Sequence, residues 1–533
     1  MTGAGFEVGT DTLDPAAVAI ASRTPGVRGV VPAGLDDVMA ASVAARDALV
    51  ASGTPVYGVT TGFGDRNISR VEPADAAALQ AGLIRYHLAG TGPAAPDDVV
   101  RATLLIRANC LARGRSGIRP EVVRLLLDCL AADLLPVVPV RGSVGASGDL
   151  VPLCYVASML VGEGTVRVHG VERPAAAALA GAGLRPVRLE PKEALALING
   201  TAFLSAFAVH AYAEAADLCV AGAAATALAV EALRGNRDHF HPMTHANKPH
   251  PGQVHVAGAV RRLLDGSGFA RGQREIAELN GDGGSRLAHP IQDRYSVRCA
   301  PHVLGVLHDT LGWAGRWLAV EINASTDNPL FEPGTGEVHN GGNFYGGHVG
   351  MAMDSLKVAV ASAGDLLDRQ LALVVDEKYS NGLPAGLTGP AKGPQHGFKG
   401  VQIATSALVA EALQRSAPAT VHSRSTEAHN QDKVSMATIA ARDACAVTEL
   451  VREATAAHLA ALCQAIDLRG GPAALGEGTR AVYTFVRDRA GFLDRDRRLD
   501  HELAGLAAAL RSGALTGVVA PFGAAEPRVA GSA

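Results

Sequence analysis

A mainly α fold is what this sequence predicts: an N-terminal mixed region built around a glycine-rich loop, then a central bundle of long helices. Three observations carry it. Alanine, leucine and valine dominate while aromatic residues are only 4 % of the chain, a composition suited to close helix packing. From Lys192 onward the pattern is almost entirely helical. The final long segment, Lys433–Leu468, would extend roughly 50 Å at ~1.5 Å rise per residue. Rods of that length without heptad regularity bundle with one another.

The elements follow in order. A leader precedes an alanine-rich helix at Leu35–Ala51, and Thr54–Gly64 (TPVYGVTTGFG) is glycine-punctuated and reads as a loop. Pro73 opens a helical pattern that places Leu79, Leu83 and His87 on one face. Helices are predicted at Asp97–Arg113, ending at Gly114, and at Pro120–Leu134, with Pro136 beyond it. Gly164–His169 and Val171–Arg173 form a small hairpin. An alanine-rich helix then runs from near Asn199 to about Arg234. Asn236–Gly258 is expected as a polar, proline-bearing loop. Further helices are expected at Pro301–Asn323, Gly350–Tyr379 and Gly400–Gln414, and the closing GAAEPRVAGSA is expected to fray. We place the domain boundary so that 1–190 holds the glycine-rich loop and 191–533 the long helices and a C-terminal helical region.

Composition narrows the function classes. Lys and Arg number 48 against 52 Asp and Glu, a net charge of −4, so nothing electrostatic favours nucleic acid or an anionic membrane as partner. Seven dispersed cysteines without a CxxC pair read as reduced thiols in a cytoplasmic protein. The N-terminus lacks the charge and apolar core of a signal peptide. The apolar run Leu218–Val230 is too short to span a bilayer and fits a buried helix. His239, His241, His245, His250 and His255 crowd one stretch, but their spacing is irregular and no HExxH or cysteine accompanies them, so no metal site is expected.

The chemistry gathers around Arg141–Leu153, RGSVGASGDLVPL. Gly142, Gly145 and Gly148 imply a tight, unusual turn around Ala146-Ser147-Gly148. The string resembles the signature of the aromatic amino acid ammonia-lyase and aminomutase family. There the tripeptide cyclises into 4-methylidene-imidazol-5-one (MIO): the amide nitrogen at Gly148 attacks the Ala146 carbonyl, and Ser147 loses its hydroxyl as water. No standard side chain is electrophilic, so an enzyme needing an electron sink must borrow one or build one. Backbone strain held by the fold is a plausible driver.

The resemblance extends from about Val56 to Asp467. Tyr57-Gly58-Val59 with Thr61-Gly62-Phe63-Gly64 is similar to the family's catalytic tyrosine loop, and Asn199-Gly200-Thr201 to its Asn-Gly-Thr. Gln292-Asp293-Arg294-Tyr295-Ser296-Val297-Arg298 matches Gln-Asp-x-Tyr-Ser-x-Arg. Asp327-Asn328-Pro329, Asn343-Phe344 and Asn381-Gly382-Leu383-Pro384 match three further signatures. It implies Tyr57 as base with Tyr295 its partner, Arg298 on the substrate carboxylate, Asn199 and Gln292 bonded to substrate or MIO, and Phe344 beside Asn343 packing on the MIO ring. Arginine's planar fork suits a carboxylate. An ordinary tyrosine has a pKa of about 10, so Tyr57 must be lowered by donors or positive charge to act near neutrality. The resemblance also implies a homotetramer whose sites draw on three subunits, and no metal or dissociable cofactor.

Ring preference rests on two positions. Tyr86-His87 replaces the family's Ser-His, Phe-Leu or His-Leu, and either alignment offers an imidazole to the polar end of a ring. Gln431, in His429-Asn430-Gln431-Asp432, stands where histidine lyases carry glutamate. A buried imidazole facing only apolar ring edges would lack a partner, so the expected substrate is L-tyrosine, giving trans-p-coumarate and ammonia. Phenylalanine, histidine and the 2,3-aminomutase reaction remain alternatives. A helical protein that had lost catalysis would lack Tyr57, Ser147 or Arg298, and all three are present.

Overall fold

The computed structural model describes residues 5–72, 75–281 and 285–524. Pro73 lies outside them, as does the closing stretch from 525, so neither expectation placed there is addressed. The fold is mainly α. Its longest helices are Ala202–Ala232, Ala300–Ile322, Gly347–Val375 and Ala437–Leu468, the last 32 residues long.

The chain divides into two compact units. The first comprises Met1–Ala213, Gly315–Asp354 and Pro418–Arg442. Its helices Asp97–Ala112 and Pro120–Ala131 pack together, the former buried along almost its whole length. Helix Leu150–Leu160, which starts directly after the glycine-rich loop, packs against Ala76–His87 and Glu193–Ile198. Thr165–Val168 pairs antiparallel with Val171–Pro174, as the hairpin reading expected. Helix Pro120–Ala131 stops three residues short of the predicted Leu134. Asp133 turns left-handed, with φ of 54°, and ends it there, and Leu135 and Pro136 pair with Arg167 and Val166.

The second unit comprises Glu214–Ala314, Ser355–Ala417 and Asp443–Ala533. Three long helices are tied in its core by one polar chain. Gln370 donates to the Thr226 hydroxyl at 3.0 Å and its Oε1 meets His458 Nε2 at 3.1 Å. His458 is fully buried, and desolvation pushes its pKa down to about 3, so it is a neutral structural group.

One expectation is corrected. Asn236–Gly258 is not a loop: Pro242–Ala246 and most of Pro251–Leu263 fall within it and are helical. Each carries proline in its first turn, where the missing N–H costs nothing, so prolines read as breakers are starters. His245 is buried, bonded to the His239 carbonyl and Gln253, and His255 stacks on His308. The Leu218–Val230 run lies, as expected, within a buried helix. Ala202–Ala232 is long and apolar enough to cross a membrane, but 89 % of its most apolar window is buried within the protein. The seven cysteines are all free, five of them buried.

Candidate active site

The loop around Ser147 holds the backbone conformations its glycines imply. Gly142, Gly145 and Gly148 have φ of 128°, 77° and 78°, and Ser147 itself sits at 51°, a left-handed conformation that costs a non-glycine residue. Glycine is required at Gly148 for space as well. A Cβ there would lie 2.1 Å from the Gly200 carbonyl oxygen, and one at Gly145 would lie 2.1 Å from Ser435 Oγ.

The loop is tied down on both sides. Asp149, fully buried, accepts from the Leu204 amide at 2.7 Å, the Thr438 hydroxyl at 2.7 Å and the Ser143 hydroxyl at 3.2 Å. Burial nevertheless pushes its pKa up to about 6. On the other side the Ser147 carbonyl oxygen accepts two hydrogen bonds, from Asn199 Nδ2 at 3.0 Å and the Gly200 amide at 3.2 Å. Asn199 Oδ1 is buried and has no partner among the described residues.

This loop forms one wall of a cavity of about 430 Å³, lined wholly by residues of the first unit. Tyr57, Tyr86, His87, Ala146, Ser147, Asn199, Phe344 and Gln431 all line it. Eight sequence-predicted positions are therefore brought together. Gln431 donates to Ser147 Oγ at 3.4 Å. Gly148 lies beneath the lining, and Asn343 is exposed and does not contribute.

Tyr57 hangs from a tight turn in which the Val56 carbonyl accepts from the amides of Val59, Thr60 and Thr61. Its phenol oxygen accepts from the Gly64 amide at 2.9 Å. That donor favours the phenolate, but burial outweighs it and the charge of Glu427 acts in the same sense as burial, so the pKa is raised, not lowered. Within this chain burial first, and the charge of Glu427 with it, replaces the expected depression with a rise.

His87 closes helix Ala76–His87, with Nδ1 2.9 Å from the Leu83 carbonyl oxygen. That contact assigns the proton to Nδ1 and leaves Nε2 as an acceptor. Burial lowers its pKa, which keeps the imidazole neutral. Tyr86 lies against it, ring centroids 4.2 Å apart, with its own pKa pushed up to about 12 by desolvation first and Glu427 next.

Glu427 is the residue that sequence reading missed. Its carboxylate lines the cavity and rests on Gly64, where a Cβ would lie 1.4 Å from Oε1. Glu427, Ala428 and His429 have φ of 50°, 49° and 65°, three left-handed non-glycine residues in a row. The Thr426–Gln431 pairing closes this turn, with both amides bonded across it. Only the carboxylate in the Ser-Thr-Glu stretch before His429 hinted at it.

Gln292, Tyr295 and Arg298 belong to the second unit and do not line the cavity. Tyr295 is 73 % exposed and begins the single helical turn Tyr295–Arg298. Arg298 donates from Nε to the Asp293 carbonyl at 3.1 Å and lies 4.6 Å over the Tyr295 ring. Asp293 is held in turn: its carboxylate accepts from the Asn236 amide at 2.7 Å and its own amide donates to His239 at 3.1 Å. Asp327, from the Asp-Asn-Pro signature, is a buried partner of Lys192, whereas Asn328 faces the cavity.

Comparison with known proteins agrees over nearly the whole chain. Residues 13–488 match the model of the aromatic amino acid lyase family. The tyrosine ammonia-lyase of Cupriavidus metallidurans is 39 % identical over 523 residues, 95 % of this chain and 96 % of that one. The histidine ammonia-lyase of Deinococcus radiodurans is 42 % identical over 467 residues, 88 % and 86 % of the two chains. The crystal structure of tyrosine aminomutase from Streptomyces globisporus superposes with a TM-score of 0.91 at 34 % identity, covering 97 % of this chain and 99 % of that one. A strained Ala-Ser-Gly loop in a cavity with three tyrosines and an imidazole thus sits in a chain that belongs to the aromatic amino acid lyase family, whose relatives are ammonia-lyase enzymes.

Proposed function

We propose that this enzyme releases ammonia from L-tyrosine to form trans-p-coumarate. The observation that carries the reading is His87. With Nδ1 committed to the Leu83 carbonyl, Nε2 is an unprotonated acceptor at a cavity that a phenol can enter as donor. A bare phenyl would leave that acceptor unmatched. Gln431 offers an amide where an imidazolium substrate would call for a carboxylate. The likeness to a tyrosine ammonia-lyase supports the same choice.

The residues present fit the MIO group. Positive φ at Ser147 and Gly148, no room for a Cβ at Gly148, and two donors on the Ser147 carbonyl suit a ring closed from Ala146, Ser147 and Gly148. When formed, MIO supplies an electrophilic methylidene for the substrate's amino group, making nitrogen a better leaving group. Asn199 Nδ2 and the Gly200 amide stabilise negative charge at the Ser147 oxygen. The unpartnered Asn199 Oδ1 is available to the substrate's amine. Tyr57 takes the β-proton onto its phenol oxygen, with the Gly64 amide stabilising the phenolate.

Arg298 holds the substrate carboxylate, and Tyr295 and Gln292 complete the site from other copies of the chain in a homotetramer. Two observations support that reading: the cavity is lined by the first unit alone, and Tyr295 is exposed. Positive charge brought by such partners would offset what Glu427 does to Tyr57. Free cysteines and near-neutral charge support a cytoplasmic location.

The likeness to tyrosine aminomutase favours one second reading, in which the ammonia is retained and re-added at the β-carbon. An end-point assay with L-tyrosine, L-phenylalanine and L-histidine, products resolved by mass-detected chromatography, decides. Coumarate from tyrosine alone supports the lyase, β-tyrosine the mutase, and urocanate or cinnamate as main product overturns the tyrosine reading.

A further inference from the structure

We propose that Arg107 is a positioning residue for the reaction: its buried guanidinium polarises the Asn199–Gly200 peptide, whose N–H bonds the Ser147 carbonyl oxygen. This rests on the reading of Ala146-Ser147-Gly148 as the electrophile-forming tripeptide. Helix Asp97–Ala112 carries Arg107 fully buried into the first unit. Among the described residues no carboxylate is hydrogen-bonded to this cation. It donates to the carbonyls of Asn199 at 2.8 Å and Thr326 at 3.1 Å, and to that of Ala196. Its neighbour Lys192 is the cation that Asp327 neutralises.

The peptide between Asn199 and Gly200 is therefore bonded at both ends. Its oxygen accepts from a cation, and its N–H donates to Ser147 O at 3.2 Å. A charge on the oxygen draws electron density through the amide and makes the N–H a stronger donor, in surroundings too dry to screen it. The second donor on Ser147 O, Asn199 Nδ2, hangs from the same residue, so Arg107 also sets its position. Gly200 is the glycine this stacking demands. Its φ is 153°, and a Cβ would lie 2.2 Å from Arg107 Nη1 and 2.3 Å from the Thr326 oxygen. The negative charge that accumulates on Ser147 O when the electron sink accepts the amine is thus met by a donor primed by a fixed cation. Fixed charge of this kind needs no reorganisation as the reaction proceeds.

The test compares Arg107→Gln, which keeps a donor but no charge, with Arg107→Lys, which keeps the charge, in the full-length enzyme. Arg101→Lys is the control, because Arg101 is equally buried on the same helix but pairs with Asp133. Intact mass first reports whether two waters are lost from the tripeptide, one carrying the Ala146 carbonyl oxygen on ring closure and one the Ser147 hydroxyl. A wild-type chain without that loss defeats the tripeptide reading itself, whatever Arg107 does. The second readout is the rate at which borohydride quenches the near-ultraviolet absorbance of the formed ring, which reports electrophilicity without turnover. We expect Arg107→Gln to slow both quenching and kcat roughly tenfold at unchanged KM, and Arg107→Lys to restore part of each.

Cofactor formation in Arg107→Lys but not in Arg107→Gln would also support the proposal. Quenching and kcat at wild-type values in Arg107→Gln, with only a lowered Tm as in Arg101→Lys, would overturn it. If neither Arg107 variant folds, wild-type protein labelled with carbon-13 at the serine carbonyls decides by infrared spectroscopy. A ring carbonyl stretch below that of the same ring in a cyclised peptide with neutral amide donors supports the proposal; an equal frequency overturns it.

Discussion

The two walls of the cavity are built on opposite terms. At the Ser147 wall each strained residue is buttressed. Asp149 accepts from Leu204, Thr438 and Ser143, the Ser147 carbonyl from Asn199 and Gly200, and a buried cation stands behind them. At the Glu427 wall three consecutive left-handed residues are exposed, and among the described residues the carboxylate takes a single hydrogen bond, from Asn430 at 3.2 Å. Strain there is held by the turn itself, through the Thr426–Gln431 pairing and the contact of Ser425 with His429. On the function proposed above, the first wall makes and holds the reactive group and the second sets which ring is accepted.

The largest effects should come from the buttressed wall. Ser147→Ala should abolish turnover and leave the fold intact, with no two-water loss by mass and an unchanged Tm. Gly148→Ala should lose turnover too, but through strain, since φ of 78° and the Gly200 oxygen leave no place for a methyl group. A Gly148→Ala protein with the ring formed at wild-type yield would break the contrast between the walls. Tyr57→Phe removes only the phenol oxygen and should lower kcat by about 10²- to 10⁴-fold with the ring still formed.

Smaller effects belong to the open end. His87→Leu should lower kcat/KM for tyrosine by about ten- to a hundredfold, the scale of a lost partner for a buried hydroxyl, and raise it for phenylalanine. Unchanged preference between the two amino acids would remove the support for tyrosine that rests on Nε2.

What could be read from the sequence follows the same division. The Ala-Ser-Gly turn, the Tyr57 loop and Asn199-Gly200-Thr201 were legible because backbone geometry forces residue identity there: glycine where φ is positive or where no Cβ fits. Long helices were legible from composition, though prolines at Pro242 and Pro251 misled because starting and breaking a helix look alike in one sequence. Glu427 was not legible, since nothing in Ser-Thr-Glu-Ala-His requires a left-handed turn. Its carboxylate reaches the cavity only because Gly64, 363 positions earlier, lacks a side chain. Arg107 is similar: an arginine in an apolar helix declares no partner until Asn199 and Thr326 are placed around it.

Glu427→Gln should have the smallest effect, and its sign is informative. The carboxylate raises the pKa of Tyr57, Tyr86 and His87 alike, disfavouring the two phenolates and favouring the imidazolium. Removing its charge should lower all three. Tyr57 acts as base only when ionised, so the acid limb of kcat/KM should move to lower pH, by less than about one unit for a partly exposed charge. His87, already lowered by burial, would become neutral at still lower pH, so the affinity for tyrosine should hold further into the acid range. A pH profile of kcat/KM on both proteins checks this. An acid limb that moves upward would mean Glu427 assists Tyr57, as a proton acceptor in its own right, and the open wall would then share in the chemistry.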